Sequence, residues 1–550
     1  MSIEYFVEGQ VNIQTKGDYR VFSKENIEHN AALSVEQNGA KTGVIYGKDA
    51  EVNPNDKPVN TIDVSLNLFF DGTGNNKTNT EARKANSTKY QEEGNKKDDS
   101  YENEFSNVAK GFDAVDPNAE NQVREYIEGI GTVDLESDDV FPGQALGEGE
   151  NGIVGKVIKG CLKGTKKVKF IADKYPKNTV ISILKVNVYG FSRGAAAARH
   201  FVHVANTPPL ILSSQEETVL QVFPPRDMQD ATLTINDEDG TKLPFIMQYG
   251  YFGACLAKEK LNIKKIVFNF VGLYDTVASY GLNHRGNSVI HGDTRQLGLD
   301  SIGNGKAYFV LQFASDDEYR DNFDLTDISS TRLYGLEFTL PGVHSDIGGA
   351  YRNGNEETDE KFKYETKKIF ECKDKPECER FREMLIEEGW FQPEELSIKA
   401  KAKSSRPGRR HLPSGYYLQG KRKLSNRYDK IPLNQMFHYS KQFEVKYLEN
   451  RIKKEHKIIG GILERVHSQL INYMNACNQK RNEYVEGKTK GNYVQDIKAI
   501  RYQDFMDEDL LKKLRNQYLH WSVEYGSLVN GERTSGVLPA SQRKRNIQAG

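Results

Sequence analysis

The feature that most constrains the fold of this chain is a glycine-rich turn between a strand and a helix. Residues 181–189 have the β-branched, apolar pattern of a buried strand, and the alanine-rich residues 195–204 have high helix propensity. The turn between them reads Gly190-Phe191-Ser192-Arg193-Gly194. A lone Gly-x-Ser-x-Gly motif is weak evidence, but in this context it predicts a strained elbow that presents Ser192 as a nucleophile. The alternative is a plain glycine turn.

Three further strands are predicted at residues 64–70, 265–271 and 333–340, and polar residues follow each of them directly. Strands separated by helical stretches indicate a mostly parallel sheet flanked by helices. The predicted fold class is therefore α/β, of the α/β-hydrolase type, with a helical C-terminal portion and a small β-rich N-terminal segment. Ligand chemistry in such sheets lies at the carboxyl ends of the strands.

The texture of the sequence predicts four regions. Residues 1–60 form the β-rich segment, and residues 61–350 form the catalytic core, with a polar, exposed insertion near residues 77–120. Residues 351–430 are charged and irregular, which is typical of an insertion or cap. Apolar residues recur at helical spacing after residue 431, so residues 431–550 are predicted to be a helical region.

Composition excludes some classes of function. The formal net charge of the 550 residues is −1, so no global field favours nucleic acid and we expect no nucleic-acid partner. The five cysteines are scattered and odd in number, which argues against a disulfide framework, although Cys372 and Cys378 are close enough to pair or to share a metal. No basic stretch followed by an apolar stretch opens the sequence, so no cleavable secretory signal is expected. No apolar run reaches the length of a membrane span.

A nucleophilic serine needs a base and a carboxylate that orients the base. Asp275 and His344 follow Ser192 in the chain order of α/β-hydrolases, each just after a predicted strand. Two alternatives are that Asp275 caps a helix and that His344 is a turn histidine bonded to Asp346. His520 is the strongest rival base.

The oxyanion hole of such a site takes one N–H from the residue after the nucleophile, here Arg193, and another from an early strand–helix loop. Gly72 and Thr73 are the candidates in that loop. The alternative is that Asp71 and Asn75 bind a cation or close a turn, but oxygen ligands at ion-loop spacing are too few. No metal and no cofactor are predicted.

Four segments together resemble the class 1 lipase effectors of type VI secretion, a family of α/β-hydrolases. They are Phe69-Phe-Asp-Gly-Thr-Gly-Asn75, Gly190-Phe-Ser-Arg-Gly-Ala-Ala-Ala197, Gly272-Leu-Tyr-Asp-Thr-Val-Ala278 and Pro341-Gly-Val-His-Ser-Asp-Ile-Gly-Gly349, with weaker similarity at residues 126–132 and 431–436. This chain differs from the family at one point. Family members carry a histidine-containing stretch before the acidic loop, and this chain lacks it before the corresponding Asp316-Asp-Glu318.

The resemblance implies a phospholipase A that acts on membrane glycerophospholipids through Ser192, Asp275 and His344. It also implies a type VI secretion spike protein and a cognate immunity protein as partners. The protein is then expected to be made in the bacterial cytoplasm without a signal peptide and to act in the target-cell periplasm or at its membrane. Residues 1–60 are expected to serve as an adaptor for the spike.

Residues 399–427 contain ten lysines and arginines and no acidic residue. Basic residues favour contact with an anionic bilayer, so Arg409 and Arg410, with Tyr416 and Tyr417, are the predicted membrane-binding residues, and Leu418 would add to the apolar insert. The alternative is a solvated loop. Two competing functions are a cytosolic serine esterase on the same fold and a catalytically silent, spike-associated interaction protein.

Overall fold

The structure is a computed structural model. It describes residues 60–93, 99–139, 149–214, 218–225, 229–278, 293–303, 305–320, 322–354, 365–401, 415–524 and 543–550. The predicted β-rich segment at the start of the chain lies outside the described residues and stays a prediction.

The strands belong to one large sheet and three small ones. In chain order they are β1 (Thr61–Phe70), β2 (Gln122–Ile127), β3 (Val180–Phe191), β4 (Ile211–Ser213), β5 (Val219–Val222), β6 (Leu233–Asn236), β7 (Ile263–Tyr274), β8 (Val310–Ser315), β9 (Leu325–Thr326), β10 (Gly335–Leu340), β11 (Glu365–Cys372), β12 (Leu396–Ala400), β13 (Tyr416–Arg422) and β14 (Ile547–Gln548).

The large sheet has six parallel strands in the order β10-β8-β7-β3-β1-β2. All four strands predicted from the sequence belong to it, which confirms the predicted α/β class. The register aligns the strand ends, because Phe70 pairs with Gly190, Phe191 with Tyr274 and Tyr274 with Phe313. The chain leaves β1 for β2 on one side and returns to β3 on the other, and ligands bind outside the carboxyl ends of parallel strands at such a switch.

Helices cover both faces of this sheet. In chain order they are α1 (Lys77–Lys84), α2 (Thr88–Glu92), α3 (Asp99–Glu102), α4 (Asn107–Ala114), α5 (Ile153–Ala172), α6 (Arg193–Val204), α7 (Lys242–Lys258), α8 (Asp293–Gln296), α9 (His344–Gly348), α10 (Lys375–Glu387), α11 (Lys430–Lys441), α12 (Glu449–Glu455), α13 (Gly461–Val485), α14 (Tyr493–Ala499) and α15 (Glu508–Gln517).

The core has two parts, one on each face of the sheet. Alternate strand residues face opposite sides, so Val186 and Val188 pack with α5, α6 and α7, while Tyr189 packs with the aromatic residues of the other face. That second core includes buried residues of α11, α13 and α15, so the helical C-terminal region is built onto the sheet rather than being separate from it.

Two regions predicted to be an exposed insertion and an irregular cap contain regular secondary structure. The insertion predicted to be exposed at residues 77–120 forms α1 to α4, and α4 buries Val108 and Ala109 against the sheet. The region predicted to be irregular at residues 351–430 contains an antiparallel sheet, β11-β13-β12, and α10. Cys372 and Cys378 join the end of β11 to α10 in a disulfide, which is one of the two roles that their spacing left open.

Candidate active site

Ser192 occupies a strained elbow between β3 and α6. Its backbone has φ 57° and ψ −129°, in the left-handed half of backbone space that a residue with a Cβ rarely adopts. The conformation is held from the neighbouring strand, since the Ser192 N–H donates to the Tyr274 carbonyl at 3.0 Å and the Val277 N–H donates to the Ser192 carbonyl at 3.3 Å. The first N–H groups of α6 have no acceptor within the helix and lie beside the serine.

The glycines of the motif are required by close backbone approach. A Cβ on Gly194 would lie 2.2 Å from the Asp71 carbonyl oxygen and 2.4 Å from that of Phe70. A Cβ on Gly190 would lie 2.4 Å from the Gly194 carbonyl oxygen. The loop after β1 therefore rests directly on the elbow, where the sequence placed the second half of an oxyanion hole.

His344 and Asp275 meet at the same edge of the sheet. Nδ1 of His344 lies 2.5 Å from Oδ2 of Asp275, and both side chains are buried. The Ser315 N–H donates to Oδ1 of Asp275 at 2.8 Å and the Ser315 hydroxyl donates to Oδ2 at 3.0 Å. Asp275 has φ 47°, so the backbone is strained at this residue as well as at Ser192. The carboxylate is thus in position to orient the imidazole.

The protonation states suit a general base. Burial lowers the pKa of His344 below its ordinary value, although the Asp275 carboxylate opposes the effect. Burial alone would raise the pKa of Asp275, but Arg545 and the His344 hydrogen bond hold it well below its usual range. At neutral pH the pair is therefore a neutral imidazole bonded to an ionised carboxylate, which is the state that accepts a proton from a nucleophile.

Two aromatic rings fix the imidazole. The centroid of the Phe191 ring lies 4.6 Å from that of His344, and the Phe323 ring meets His344 edge-on at 5.0 Å. Because Phe191 immediately precedes Ser192, this contact places the imidazole beside the elbow.

The loop after β1 has its own hydrogen bonds. The Gly72 N–H donates to Oδ1 of Asp71 at 2.7 Å, and the Tyr126 hydroxyl donates to Oδ2 at 2.6 Å. Burial raises the pKa of Asp71 to about 6. These bonds support the turn-closing role for Asp71. The buried Thr73 hydroxyl has no hydrogen-bond partner among the described residues.

A second His–Asp pair lies close to the first. Nδ1 of His520 is 2.7 Å from Oδ1 of Asp346, and the His520 N–H donates to Oδ2 at 3.0 Å. Its ring stacks on Tyr351 with a centroid distance of 3.7 Å. Asp346 therefore pairs with His520 and not with His344, contrary to the turn-histidine alternative, while His520 has a carboxylate partner other than Asp275.

The acidic loop whose role the sequence left in doubt supports His344. The His344 N–H donates to Oε2 of Glu318 at 3.2 Å, and the Gly342 N–H donates to Oδ2 of Asp317 at 2.8 Å. Arg320 pairs with Glu318 through two bonds of 2.9 Å and, although burial opposes the effect, lowers the pKa of Glu318 to about 2. An apolar run directly precedes Ser315-Asp-Asp-Glu318 in the sequence. Polar residues directly after such a run are typical of a strand end, and this pattern could have predicted that the acidic loop lies at the site.

The predicted membrane-binding residues fall into two groups, one outside the described residues and one in β13. Arg409 and Arg410 lie outside the described residues. Tyr416 and Tyr417 are half-buried in β13, and Leu418 is fully buried in the core. Arg422, one of the ten basic residues, is buried too and donates to Glu365 at 2.9 Å. Leu418 and Arg422 are therefore structural, and a bilayer contact at residues 399–427 remains a prediction for the rest.

None of the described helices combines the length and the apolar character needed to span a bilayer. Among the described residues, no group of three or more histidine, cysteine, aspartate or glutamate side chains is arranged to hold a metal ion.

A family model agrees with this geometry. The model described as the catalytic domain of the Tle1-like phospholipase effectors of the type VI secretion system matches residues 65–369, more than half of the chain. The chain belongs to this family. The matched residues of this Tle1-like protein include the elbow, Asp275 and His344, so the site lies within the domain that the family defines as catalytic. Membership makes the protein a lipolytic effector of type VI secretion.

One solved structure supports the fold described above. The chain is similar to the structure of a Tle1 effector bound to the VgrG spike of the type VI secretion system, with a TM-score of 0.55 and 18% identity over 92% of this chain and 98% of that one. This likeness supports the fold of the Tle1-like chain. An uncharacterised protein from Pseudomonas aeruginosa has a TM-score of 0.33 and 17% identity over 79% of this chain and 56% of its own. No protein with a curated description matches the chain.

Proposed function

We propose that this Tle1-like protein is a phospholipase A that hydrolyses the acyl esters of glycerophospholipids through Ser192, His344 and Asp275. The observation that carries the proposal is the hydrogen bond of 2.5 Å between buried His344 and Asp275, at the edge of the sheet that also holds the strained Ser192 elbow. A histidine held in one tautomer by a carboxylate beside a serine at a strand–helix elbow has the arrangement of a serine hydrolase.

In this mechanism Nε2 of His344 accepts the Ser192 hydroxyl proton while Oγ attacks the ester carbonyl carbon. Asp275 stabilises the imidazolium that forms. The tetrahedral intermediate collapses by breaking the acyl C–O bond, and the imidazolium gives its proton to the departing lysophospholipid alkoxide. Water, deprotonated by His344, then attacks the acyl-serine and releases the fatty acid, which restores the Ser192 hydroxyl.

The oxyanion would be held by the Arg193 N–H at the start of α6 and by Thr73 across the elbow. The Gly72 N–H donates to Asp71 at 2.7 Å, so it is already engaged. The Thr73 hydroxyl, buried and unpartnered among the described residues, is a donor that a developing negative charge can use.

The family and one similar solved structure support delivery on a spike protein. A Tle1 effector is bound to the VgrG spike in the similar solved structure, and we infer that this chain also travels on a spike protein. The periplasmic face of a target cell presents glycerophospholipids, and a producer exposed to its neighbours' copies of the enzyme needs a cognate immunity protein. Residues 1–60 would be the adaptor.

The test uses purified wild type, Ser192→Ala and His344→Ala with vesicles of phosphatidylethanolamine and phosphatidylglycerol. We expect fatty acid and lysophospholipid from the wild type alone. Equal release by all three proteins would refute the mechanism. Activity on soluble short-chain esters but not on vesicles would favour a cytosolic esterase.

Membrane contact has a separate test with a matched control. Arg409→Gln with Arg410→Gln should weaken binding to phosphatidylglycerol vesicles and reduce its salt dependence. Lys453→Gln with Lys454→Gln removes the same charge from exposed positions on α12 and should leave binding unchanged. Equal binding by both double variants would exclude the contact.

A further inference from the structure

Residues 543–550, here called the 543–550 segment, lie against the strand end that carries Asp275. The Thr326 N–H donates to the Thr276 carbonyl at 2.9 Å, which joins β9 to the residue after Asp275. β14 pairs in parallel with β9, and the Leu325 N–H donates to the Asn546 carbonyl at 3.0 Å. The segment is therefore bonded to β9, and β9 is bonded to the residue that follows Asp275.

Arg545 extends from this segment into the site, and its side chain is only 6% exposed. Its Nη1 lies 2.5 Å from Oδ1 of Asp275 and its Nη2 lies 3.0 Å from Oδ2. The same guanidinium donates to the Ser315 hydroxyl at 2.8 Å and to the Ser315 carbonyl at 3.2 Å. It also donates to the Phe323 carbonyl, from Nε at 3.0 Å and from Nη2 at 2.8 Å. One planar fork therefore joins three elements around a fully buried carboxylate.

Two of these contacts bear on His344. A bidentate arginine fixes the plane of a carboxylate, and Oδ2 of Asp275 is the atom bonded to Nδ1 of His344. The Phe323 backbone that Arg545 holds carries the ring that meets His344 edge-on. Removing Arg545 would leave a buried carboxylate without its bidentate cation, which favours a proton on the imidazole of His344.

We propose that Arg545 is a positioning residue of the active site, which holds Asp275 in the plane of its hydrogen bond to His344 and offsets the carboxylate charge so that His344 stays an unprotonated base. This inference rests on the proposed function. Arg545 is then part of the catalytic apparatus, although it lies 270 residues from Asp275 in the chain.

The charged groups around His344 come from three elements. Asp275 follows β7 and favours the protonated imidazole, as does Glu318 after β8. Arg320 on the same loop as Glu318 disfavours it. Arg545 adds a second positive charge and binds Asp275, which is the carboxylate with the largest effect on the pKa of His344. Loss of Arg545 therefore favours the protonated imidazole of His344.

The experiment compares Arg545→Gln with Arg543→Gln. Arg543 belongs to the same segment, its side chain is 0% exposed, and it pairs with Glu388 at 2.8 Å. Either variant loses a buried ion pair of the segment, but only Arg545→Gln changes the charge beside Asp275. Arg545→Lys keeps the charge without the planar fork, and it serves as the second variant should Arg545→Gln not fold.

The first readout is kcat/KM on phosphatidylglycerol vesicles against pH. Arg545→Gln should lose about tenfold or more at pH 7, and its acid limb should move up by roughly half a pH unit or more. Arg543→Gln should keep the wild-type limb. Arg545→Lys should restore the limb but not the full rate. An equal displacement of the limb in both glutamine variants would make the role of Arg545 merely structural.

The second readout does not need turnover. The His344 imidazole is titrated by NMR with labelled histidine in a Ser192→Ala background, with His344→Gln to assign its resonance. We expect a higher pKa of His344 with Arg545→Gln, and an unchanged titration would overturn the inference. Retained phospholipase activity in Ser192→Ala would instead refute the proposed function, so the two failures are distinguishable.

Discussion

Replacing Gly194 with alanine tests whether the elbow and the loop after β1 form one unit. The added Cβ would lie 2.2 Å from the Asp71 carbonyl oxygen, whereas ordinary van der Waals contact begins at 3.4 Å. The two backbones must therefore separate by roughly 1 Å, because neither atom belongs to a flexible side chain. Overpacking of this kind costs about 1–3 kcal/mol of the free energy of unfolding. A displacement of about 1 Å at the oxyanion donors lowers the rate about 100-fold.

The assay measures fatty-acid release from phosphatidylglycerol vesicles beside a denaturant titration of each variant. Gly461→Ala is the matched control, because a Cβ at Gly461 meets nothing within 4 Å, and it should leave both measurements near wild type. Wild-type activity in a Gly194→Ala protein that is also as stable as wild type would refute the close approach described here.

Three other predictions follow from the site and the disulfide. Because burial lowers the pKa of His344, the base stays neutral below its ordinary titration range, so kcat/KM should fall on its acid side only below pH 6.5; an acid limb above that value contradicts the assignment. His344→Gln should lower kcat/KM about 1000-fold or more. His520→Gln, which removes the partner of Asp346, should change kcat/KM only a few-fold while lowering the melting temperature. The reverse order of the two effects on kcat/KM would make His520 the base. Replacing Cys372 and Cys378 together by serine opens a loop with a sequence separation of 6 and should lower the free energy of unfolding by about 2 kcal/mol, measured by urea titration; equal stability of the variant and the oxidised wild type would contradict a formed disulfide.

The sequence was informative where function depends on local pattern. The elbow requires a strand, small residues and a helix in succession, and residues 181–204 provide all three. Asp275 and His344 could be predicted because each follows a strand directly, and parallel strands end at one edge. Their pairing depended on the order of strands in the sheet, which those patterns do not specify.

The sequence was misleading where polar side chains are buried and hydrogen-bonded within the protein. Residues 77–120 look like a solvated insertion, but Asn79 donates to Ser100 at 3.0 Å and Asn107 donates to the Ile347 carbonyl at 2.9 Å, both inside the protein. Composition cannot distinguish an asparagine that is satisfied by the protein from one that is satisfied by water.

Arg545 was missed for a different reason. The residues around it have no apolar periodicity, and its partner Asp275 is far away in the chain. Nothing local marks a basic residue that becomes buried only when a segment folds back on a strand end. The expectation that residues 399–427 face a bilayer failed for Leu418 and Arg422. Leu418 packs in the core, and Arg422 donates to the carbonyls of Arg515 and Leu519.

Covalent capture of the nucleophile tests whether Ser192 and His344 act together. The wild type, Ser192→Ala and His344→Gln are incubated with a fluorophosphonate, and the modified peptide is identified by mass spectrometry. We expect a single adduct on the peptide that contains Ser192, absent from Ser192→Ala and formed much more slowly with His344→Gln. An adduct on another residue, or labelling of Ser192 at the wild-type rate without the imidazole of His344, would contradict this expectation.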